Sequence, residues 1–339
     1  CGLRTVLVKY VYGDHKKMKY TNLGRTGLRV SQICLGTMNF GPSTTEDDSF
    51  KIMDYALEEG VNFVDTANVY GWKKGEGITE KIIGRWLKQG GRRDKIVLAT
   101  KCYNEMGDGV NDRGLSAYHI RKACEDSLIR LETDHIDLYQ MHHIDRQTTW
   151  DEIWQAMERL VQEGKVLYVG SSNFAAIHVV QAQYEAKRRG FLGLVSEQSL
   201  YNLCDRNVEL EMIPACRDFG VGLIPWSPLG GGLLGGIVDK SPSLRRKEDR
   251  MQELLTKHYA QVQDYEKLCK ELGEKPANVA LSWLLHNPVV TAPIIGPRTM
   301  EQMVDSIQSL QVKLSDDVLH RLEEIWPGPG GEAPEAYAW

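Results

Sequence analysis

Four side chains that could act together on a carbonyl group follow three neighbouring apolar segments of the sequence: Asp65, Tyr70, Lys101 and His142. A Lys ammonium near a phenol favours the phenolate and lowers the phenol pKa from its usual value of about 10. A carboxylate beside the Lys holds it charged, and a neutral His can donate a hydrogen bond to a carbonyl oxygen. Such a group could protonate or polarise a carbonyl while a hydride reaches its carbon.

Each of these residues also has a structural interpretation. Asp65 could cap the segment after it, Lys101 could be half of a buried ion pair with Asp65, and Tyr70 could be a loop aromatic. One of the two histidines, His142 and His143, could serve packing alone. The sequence contains no G-x-S-x-G nucleophile elbow and no H-E-x-x-H pair, and we predict no metal site. The occurrence of Asp65, Tyr70, Lys101 and His142 after consecutive apolar segments favours one shared site.

The elements that must position these residues are short apolar segments alternating with helical ones. The predicted strands span 32–36, 61–66, 96–101, 136–142, 166–171, 194–198, 222–228 and 291–296. The predicted helices span 46–59, 79–89, 116–131, 150–162, 175–188 and 299–310. Eight such units predict an α/β fold, the (β/α)8 TIM barrel. An open doubly wound sheet should carry G-x-G-x-x-G after its first strand, and residues 36–41 lack that spacing.

Composition limits the function classes. The 339 residues carry 41 basic and 46 acidic side chains, a net charge of −5, and 42% are hydrophobic. No run of about 18 apolar residues exists, so no membrane span is predicted. The excess of acidic side chains argues against a surface that binds nucleic acid. The seven cysteines form no C-x-x-C pair. We therefore expect reduced thiols and a cytoplasmic protein.

The chain reads as a single barrel domain, 18–339, after an extension at 1–17. The alternative for 1–17 is a hairpin packed on the body. Residues 230–275 interrupt the alternation as an insertion after the seventh strand, expected as a long loop that is either a glycine-hinged lid or a solvated segment. The C-terminal tail after Pro327 is rich in Gly and Pro and is predicted as a loop.

Seven motifs in order make the chain resemble the aldo-keto reductase superfamily from about residue 23 to 322. The motifs are Val64-Asp65-Thr66-Ala67-x-x-Tyr70-Gly71; Gly77-Ile78-Thr79-Glu80 with Gly84; Leu98-Ala99-Thr100-Lys101; Asp137-Leu138-Tyr139-Gln140-Met141-His142; Gly170-Ser171-Ser172-Asn173-Phe174; Trp226-Ser227-Pro228-Leu229-Gly230; and Ile295-Gly296-Pro297-Arg298 through Ile307. His143-Ile144-Asp145 after the histidine and Trp226 at the stacking position are closer to the bacterial and potassium-channel-β-like branch.

The resemblance implies an NAD(P)H-dependent carbonyl reductase. It assigns Tyr70 as general acid, Lys101 and Asp65 as the groups that tune it, and His142, rather than His143, as the donor that orients the substrate.

The resemblance also implies the cofactor contacts. Ser172, Asn173 and Gln198 would bind the nicotinamide amide, and Trp226 would stack on its ring. The remaining expected cofactor residues are Gly36, Thr37, Met38, Asp65, Ser227, Pro228, Leu229, Gly230, Gly231, Arg246, Gly296, Arg298, Gln302, Asp305 and Ser306.

The phosphate end can be argued partly from the residues. Barrel phosphate sites use the loops after strands seven and eight together with a helix N-terminus. Arg298 stands one residue before the predicted helix start at Thr299, and a guanidinium there suits a ribose 2′-phosphate. We therefore expect NADPH rather than NADH. For Gln302, the alternative is a capping box with Thr299.

The substrate pocket is expected to include Met38, Trp72, Tyr103 and His143, each of which could equally be core or surface. Aromatic surface with a few polar groups suits an aryl aldehyde, a quinone or a sugar. The leading function is NADPH-dependent reduction of a small-molecule aldehyde or ketone, and the alternative is an NADPH-binding sensor subunit with little turnover. A Schiff-base lyase is disfavoured, because a Lys paired with Asp stays protonated. The oligomeric state stays open.

Overall fold

Eight parallel strands form a barrel in the computed structural model, which describes residues 18–71, 73–238 and 249–338 (for 249–251 the backbone alone). In chain order the strands are β1 (Tyr20–Asn22), β2 (Arg29–Ser31), β3 (Cys34–Gly36), β4 (Phe63–Asp65), β5 (Val97–Cys102), β6 (Ile136–Met141), β7 (Val166–Ser172), β8 (Leu194–Leu200), β9 (Gly222–Trp226) and β10 (Ile294–Ile295). The barrel comprises β3 to β10. It closes where Leu223 of β9 exchanges backbone hydrogen bonds with Val289 and Thr291. All eight predicted strands are confirmed, with ends that differ by up to three residues.

Several of the helices around the barrel begin at a polar cap. They are α1 (Glu46–Glu58), α2 (Ile78–Leu87), α3 (Ala117–Leu131), α4 (Trp150–Gln162), α5 (Ala176–Arg188), α6 (Met212–Phe219), α7 (Asp249–Lys257), α8 (Tyr259–Leu272), α9 (Pro276–His286), α10 (Met300–Gln308), α11 (Asp316–Ile325) and α12 (Glu335–Ala338). Thr45, Ser116, Thr149 and Thr299 each accept a hydrogen bond from the amide three residues later. These caps explain why the predicted starts of α1, α3, α4 and α10 agree with the structure.

Strand alternation separates the barrel interior from the helix-facing layer. Phe63, Ala99 and Leu138 belong to the apolar cluster inside the barrel. Val64, which follows Phe63, and Tyr139, which follows Leu138, pack in the cluster under the helices. Side chains two positions apart share a face. The next inward positions are therefore one layer nearer the carboxyl ends of the strands, and they are occupied by Asp65, Lys101 and Gln140.

A hairpin of β1 and β2, not predicted from the sequence, closes the amino end of the barrel. Leu23 and Val30 are fully buried in the interior cluster. The guanidinium of Arg25 donates to the carbonyl oxygens of Leu194 and Phe219, at 2.9 and 3.0 Å. The extension 1–17 lies outside the described residues.

The insertion after β9 differs from the expected loop. Residues 249–257 and 259–272 form α7 and α8. Val262 and Leu268 of α8 are buried in a cluster with Leu233 and Leu234, and Glu266 accepts a hydrogen bond of 3.1 Å from the amide of Val238. A solvated loop is therefore the wrong prediction for α8, because its apolar face packs against the chain that follows β9. Residues 239–248 lie outside the described part.

The tail docks on the outside of the barrel. Glu332 forms two hydrogen bonds with the guanidinium of Arg217, at 2.6 and 2.9 Å, and the amide of Ala333 donates to Leu210. The predicted loop is followed by one helical turn, α12. Within the described ranges, the six cysteines are free, and no helix is long and apolar enough to cross a membrane.

Candidate active site

Lys101 is the centre of the site, at the carboxyl end of β5. Its side chain is completely buried, and Nζ donates to Asp65 Oδ2 at 2.6 Å, to the Thr66 carbonyl oxygen at 2.8 Å and to Tyr70 Oη at 3.1 Å. An ammonium has three donors, and all three are used. The structure thus brings together Asp65, Tyr70 and Lys101, as the sequence predicted.

The charges in this cluster decide its protonation. Burial by itself lowers the Lys101 pKa, but Asp65 and Tyr70 outweigh it and the net pKa is raised, so Lys101 is an ammonium. Burial raises the pKa of Tyr70, and the opposing effect of Lys101 does not reverse it. The net shift is opposite to the one expected from the sequence, because burial disfavours the phenolate and the Asp65 carboxylate adds to that effect. Tyr70 is therefore a protonated phenol at neutral pH.

His142 lies beside this cluster, directly after β6. Its ring meets that of Tyr70 edge-on at 6.1 Å between centroids and stacks on His143 at 5.2 Å. Burial, then the charge of Lys101, then His143 lower the His142 pKa well below its ordinary value. The ring is neutral. Its Nδ1 lies 3.0 Å from Nδ2 of Asn104, a residue that sequence reasoning missed.

Two buried amides hold the other oxygen of Asp65. Nε2 of Gln140 and Nε2 of Gln198 donate to Asp65 Oδ1 at 3.0 and 2.8 Å, and Gln198 also donates to Gln140 Oε1 at 3.3 Å. Gln140 was missed, although its place two residues before His142 on an inward-facing strand was a usable signal. The network connects the Asp65 carboxylate to Gln198, a predicted cofactor residue.

Asn173 joins three parts of the site. Its amide nitrogen donates to the His142 carbonyl oxygen at 3.2 Å and to Ser172 Oγ at 2.9 Å, and its Oδ1 accepts from the indole Nε1 of Trp226 at 2.9 Å. The backbone of Asn173 is left-handed, with φ 56°. Asn173 thereby holds the indole of Trp226 against the ends of β6 and β7.

A second buried carboxyl, Glu197 of β8, supports this turn and was also missed. Its Oε1 accepts from the Phe174 amide at 3.1 Å and from Ser199 Oγ at 2.8 Å, and its Oε2 accepts from Ser171 Oγ. Burial without a facing cation raises the pKa of Glu197 to about 7. Glu197 fixes the backbone next to Ser172 and Asn173.

The predicted pyrophosphate loop follows β9 directly. Ser227 is left-handed at φ 52°, its carbonyl oxygen accepts from Asn202 Nδ2 at 3.0 Å, and its Oγ accepts from the Gly231 amide at 3.0 Å. The Gly230 amide donates to the Ser227 carbonyl oxygen at 2.9 Å. Pro228 and Leu229 lie within this tight turn. The loop is ordered by its own hydrogen bonds.

The predicted adenosine side lies at the start of α10. The amide of Arg298 donates to Gln302 Oε1 at 2.8 Å, and Thr299 Oγ1 accepts from the Gln302 amide. Gln302 thus caps the helix, which agrees with the alternative interpretation of its spacing. Ser306 Oγ donates to the Gln302 carbonyl oxygen, and Asp305 pairs with Lys275 at 2.6 Å.

The turn after β3 is tied to the catalytic strand. The amide and the hydroxyl of Thr37 donate to the Asp65 carbonyl oxygen at 3.1 and 2.9 Å. A Cβ on Gly36 would lie 2.4 Å from Ile294 Cγ2, so a side chain does not fit there. The side-chain Nδ2 of Asn39 donates to the Gly296 carbonyl oxygen at 2.9 Å, which links this turn to the segment before Arg298.

The expected substrate pocket is partly described. Met38 is 48% exposed, and Tyr103 meets the ring of His143 edge-on at 5.4 Å. Two predicted site residues, Trp72 and Arg246, lie outside the described residues.

Backbone strain collects at this edge of the barrel. Among the described residues, four other than glycine have positive φ, and three of them follow β5, β7 and β9: Tyr103, Asn173 and Ser227. Such conformations cost free energy and persist where surrounding structure holds them, commonly at functional sites.

The G-x-T-E motif that follows Tyr70 has a structural role. Glu80 is fully buried in α2, where it accepts from Thr100 Oγ1 at 2.6 Å and pairs with Arg130 of α3 at 2.7 Å. Thr79 Oγ1 donates to the Phe40 carbonyl oxygen. These bonds hold α2 against the strand that carries Lys101.

Comparison with known families agrees with this geometry. A model of the aldo/keto reductase family matches residues 32–327. The chain belongs to the aldo/keto reductase family. The resemblance inferred from the motifs is thereby confirmed, and carbonyl oxidoreduction in general follows from it.

Relatives of this aldo/keto reductase come from bacteria, fungi and plants. The chain is 59% identical to Uncharacterized oxidoreductase YrpG of Bacillus subtilis (strain 168), over 95% of this chain and 100% of that protein. It is 35% identical to versiconal hemiacetal acetate reductase of Aspergillus parasiticus, over 91% and 96%. It is 33% identical to a rice protein (Oryza sativa subsp. japonica) named Probable voltage-gated potassium channel subunit beta, over 91% and 96%.

Proposed function

We propose that this aldo/keto reductase reduces an aldehyde or ketone to an alcohol with NADPH, and that Tyr70 protonates the carbonyl oxygen. The observation that carries the proposal is the Lys101 ammonium, which contacts both Asp65 and the Tyr70 hydroxyl. The nicotinamide, when bound, supplies the hydride.

The proton donor is supported by the electrostatics of the cluster. Tyr70 holds its proton at neutral pH, because burial raises its pKa. Once the proton has left, the phenolate lies 3.1 Å from a buried ammonium, which stabilises it. The neutral ring of His142 can donate a hydrogen bond to the same carbonyl oxygen. A Schiff-base role for Lys101 is disfavoured, since its ammonium has no lone pair and its donors are all used.

The residues at the ends of β7, β8 and β9 fit a nicotinamide. Nε2 of Gln198 donates to Asp65 and Gln140, and within the described residues its Oε1 accepts no hydrogen bond. Oδ1 of Asn173 accepts one hydrogen bond, from Trp226, and keeps a second lone pair. Two amide oxygens are thus available to the carboxamide N–H groups, and the held indole of Trp226 offers a flat surface for the ring.

The preference for NADPH rests on Arg298. This partly exposed residue precedes the N-terminus of α10, where a phosphate also meets the positive end of the helix. The Asp305 carboxylate on the same helix is paired with Lys275, which reduces its repulsion of a phosphate.

The substrate class is proposed from the aromatic groups around the reacting position. The ring of His143 contacts both the ring of Tyr103 and the ring of His142. A planar carbonyl compound can pack on such surface, so we propose an aryl aldehyde or ketone.

Tyr70→Phe tests the proposal. This variant should lose activity at least about a hundredfold in kcat, because the general acid is removed, while NADPH affinity stays unchanged. NADPH oxidation with an aryl aldehyde and fluorescence titration of NADPH measure the two effects. Tyr118→Phe, at an exposed position of α3, is the matched control. Wild-type turnover in Tyr70→Phe would disprove the mechanism.

The alternative is an NADPH-binding regulatory subunit with little turnover, and the rice relative's name is the observation that favours it. Tight NADPH binding by a wild-type protein that oxidises the cofactor with none of a panel of aldehydes, ketones and quinones would support this alternative.

A further inference from the structure

The side chain of Asn104 contacts the ring of His142. Its amide Nδ2 lies 3.0 Å from Nδ1 of His142. The amide nitrogen of Asn can only donate, so Nδ1 must accept, and a neutral imidazole that accepts at one nitrogen carries its proton on the other. The ring proton of His142 is therefore on Nε2.

The backbone holds Asn104 in place for this contact. Tyr103, the preceding residue, has φ 151°, which only a well-supported turn tolerates in a bulky residue, and its carbonyl oxygen accepts from the Gly114 amide at 2.8 Å. Lys74 anchors the same loop through Glu105 and Asp108, at 3.1 and 2.9 Å. The strained turn directs the chain after β5 towards the end of β6.

We propose that Asn104 is a positioning residue that sets the tautomer of His142, so that Nε2–H donates to the substrate carbonyl oxygen. The inference rests on the proposed reductase function, in which His142 orients the carbonyl. Without this contact the proton could occupy Nδ1, and the bare Nε2 would then repel the carbonyl oxygen instead of binding it.

The other described groups around His142 form no hydrogen bond with its ring nitrogens, so they do not set its tautomer. His143 stacks on the ring face, Tyr70 meets it edge-on at 6.1 Å between centroids, and Lys101 contributes a positive charge that opposes a second proton on the ring. Asn173 contacts only the backbone oxygen of His142. Among the described residues, Asn104 alone hydrogen-bonds a ring nitrogen of His142.

Nitrogen NMR of the wild-type protein tests the tautomer without turnover. The protein is labelled with ¹⁵N in its histidines, and the His142 signals are identified by their loss in His142→Gln. We expect a bare Nδ1 and a protonated Nε2. A proton on Nδ1 would overturn the proposal, whatever the activity of the protein.

Asn104→Asp tests the consequence for catalysis. Its carboxylate would accept from Nδ1–H, draw the proton away from Nε2 and raise the His142 pKa. We expect kcat at pH 8 to fall about ten- to a hundredfold and to recover towards acidic pH, where a doubly protonated ring regains Nε2–H. NADPH affinity should not change. Asn104→Leu should lose less activity and show no such pH slope.

Asn111 lies in the same loop as Asn104 and provides the control. Asn111→Asp adds the same charge at an exposed position and should leave kcat and its pH profile unchanged. Full activity of Asn104→Asp at pH 8 with the wild-type pH profile would refute the proposal. A wild-type protein inert to every carbonyl compound would instead refute the proposed function, and the NMR result would still decide the tautomer.

Discussion

Two buried carboxyl groups show how the neighbours of a carboxyl group determine its protonation. Asp65 of β4 and Glu197 of β8 are both buried. Asp65 faces the Lys101 ammonium, whereas Glu197 is held by two hydroxyls and backbone amides. Neutral donors offset only part of the cost of burying a charge, and the pKa of Glu197 is raised to about 7.

The raised pKa of Glu197 predicts a pH-dependent stability. The unfolded chain releases this proton near pH 4.5 and the folded protein near pH 7. The stabilisation is therefore complete below pH 4.5 and is lost as the pH rises through 7, a total of about 3 kcal/mol in the free energy of unfolding. Glu197→Gln cannot ionise and should remove this slope.

Urea denaturation at pH 5.5 and pH 8 measures the effect. Relative to wild type, Glu197→Gln should gain about 2 kcal/mol between the two pH values, since part of the total loss occurs below pH 5.5. Cys216 of α6 is a further titratable group near Glu197, and burial raises its pKa, so it stays a neutral thiol across this range. Glu58→Gln, exposed on α1, is the control. Parallel pH profiles of Glu197→Gln and wild type would contradict the assignment.

At the scale of elements, the two ends of the barrel have separate tasks. The β1–β2 hairpin fills the amino end with Leu23 and Val30, while the loops at the carboxyl ends carry Lys101, His142 and Trp226. The division agrees with barrels in general, where one end stabilises and the other carries the chemistry. Changes in the hairpin should therefore affect stability and leave the site intact.

Gly24→Ala tests this division. Gly24 has φ 55°, and a Cβ there would lie 2.4 Å from the Val195 carbonyl oxygen and 2.6 Å from that of Gly220. We expect a loss of about 2 to 4 kcal/mol in stability from the left-handed backbone and the overlap. Gly27→Ala, where nothing lies within 4 Å, is the matched control and should be near neutral.

Thermal denaturation measures both hairpin variants, and NADPH affinity of the folded protein should stay at the wild-type value. Equal stability of the Gly24 and Gly27 variants would show that the hairpin is not packed as described.

At the scale of the whole molecule, the proposed cofactor would contact elements far apart in the chain. The predicted contacts extend from the turn after β3 to the start of α10, and they include the ends of β7, β8 and β9. A ligand that binds only the assembled barrel stabilises all of it at once, because the unfolded chain has no such site.

NADPH should therefore raise the stability of the wild-type protein by about 2.7 kcal/mol when present at a hundred times its Kd.

Arg298→Met should weaken NADPH binding about ten- to a hundredfold and leave NADH binding unchanged, since a charge-assisted bond to the 2′-phosphate is lost. Titration with both cofactors measures this effect, and Arg121→Met, at an exposed position of α3, is the control. Equal affinity of wild type for NADH and NADPH would contradict the role of Arg298.

Local patterns in the sequence were sufficient for much of the fold. Apolar segments and the helical spacing of apolar residues predicted the eight barrel strands and six of the helices, since these patterns depend on neighbours in the chain. The hairpin at residues 20–31 was not predicted, because its strands have three residues each and are stabilised by burial in the barrel. Likewise α8 is helical where a loop was expected, because its apolar face packs on residues 233 and 234.

The family and the identities of the four proposed catalytic residues were determined by the sequence alone, because motif order and strand-end position are written in the chain. Which partners those residues have was decided only by the tertiary structure. The contacts of Asp65 with Gln140 and Gln198, of Glu197 with the 171–174 turn and of Asn104 with His142 join different strands. The protonation of Tyr70 depends on burial and on the balance of two nearby charges, which no spacing along the chain records.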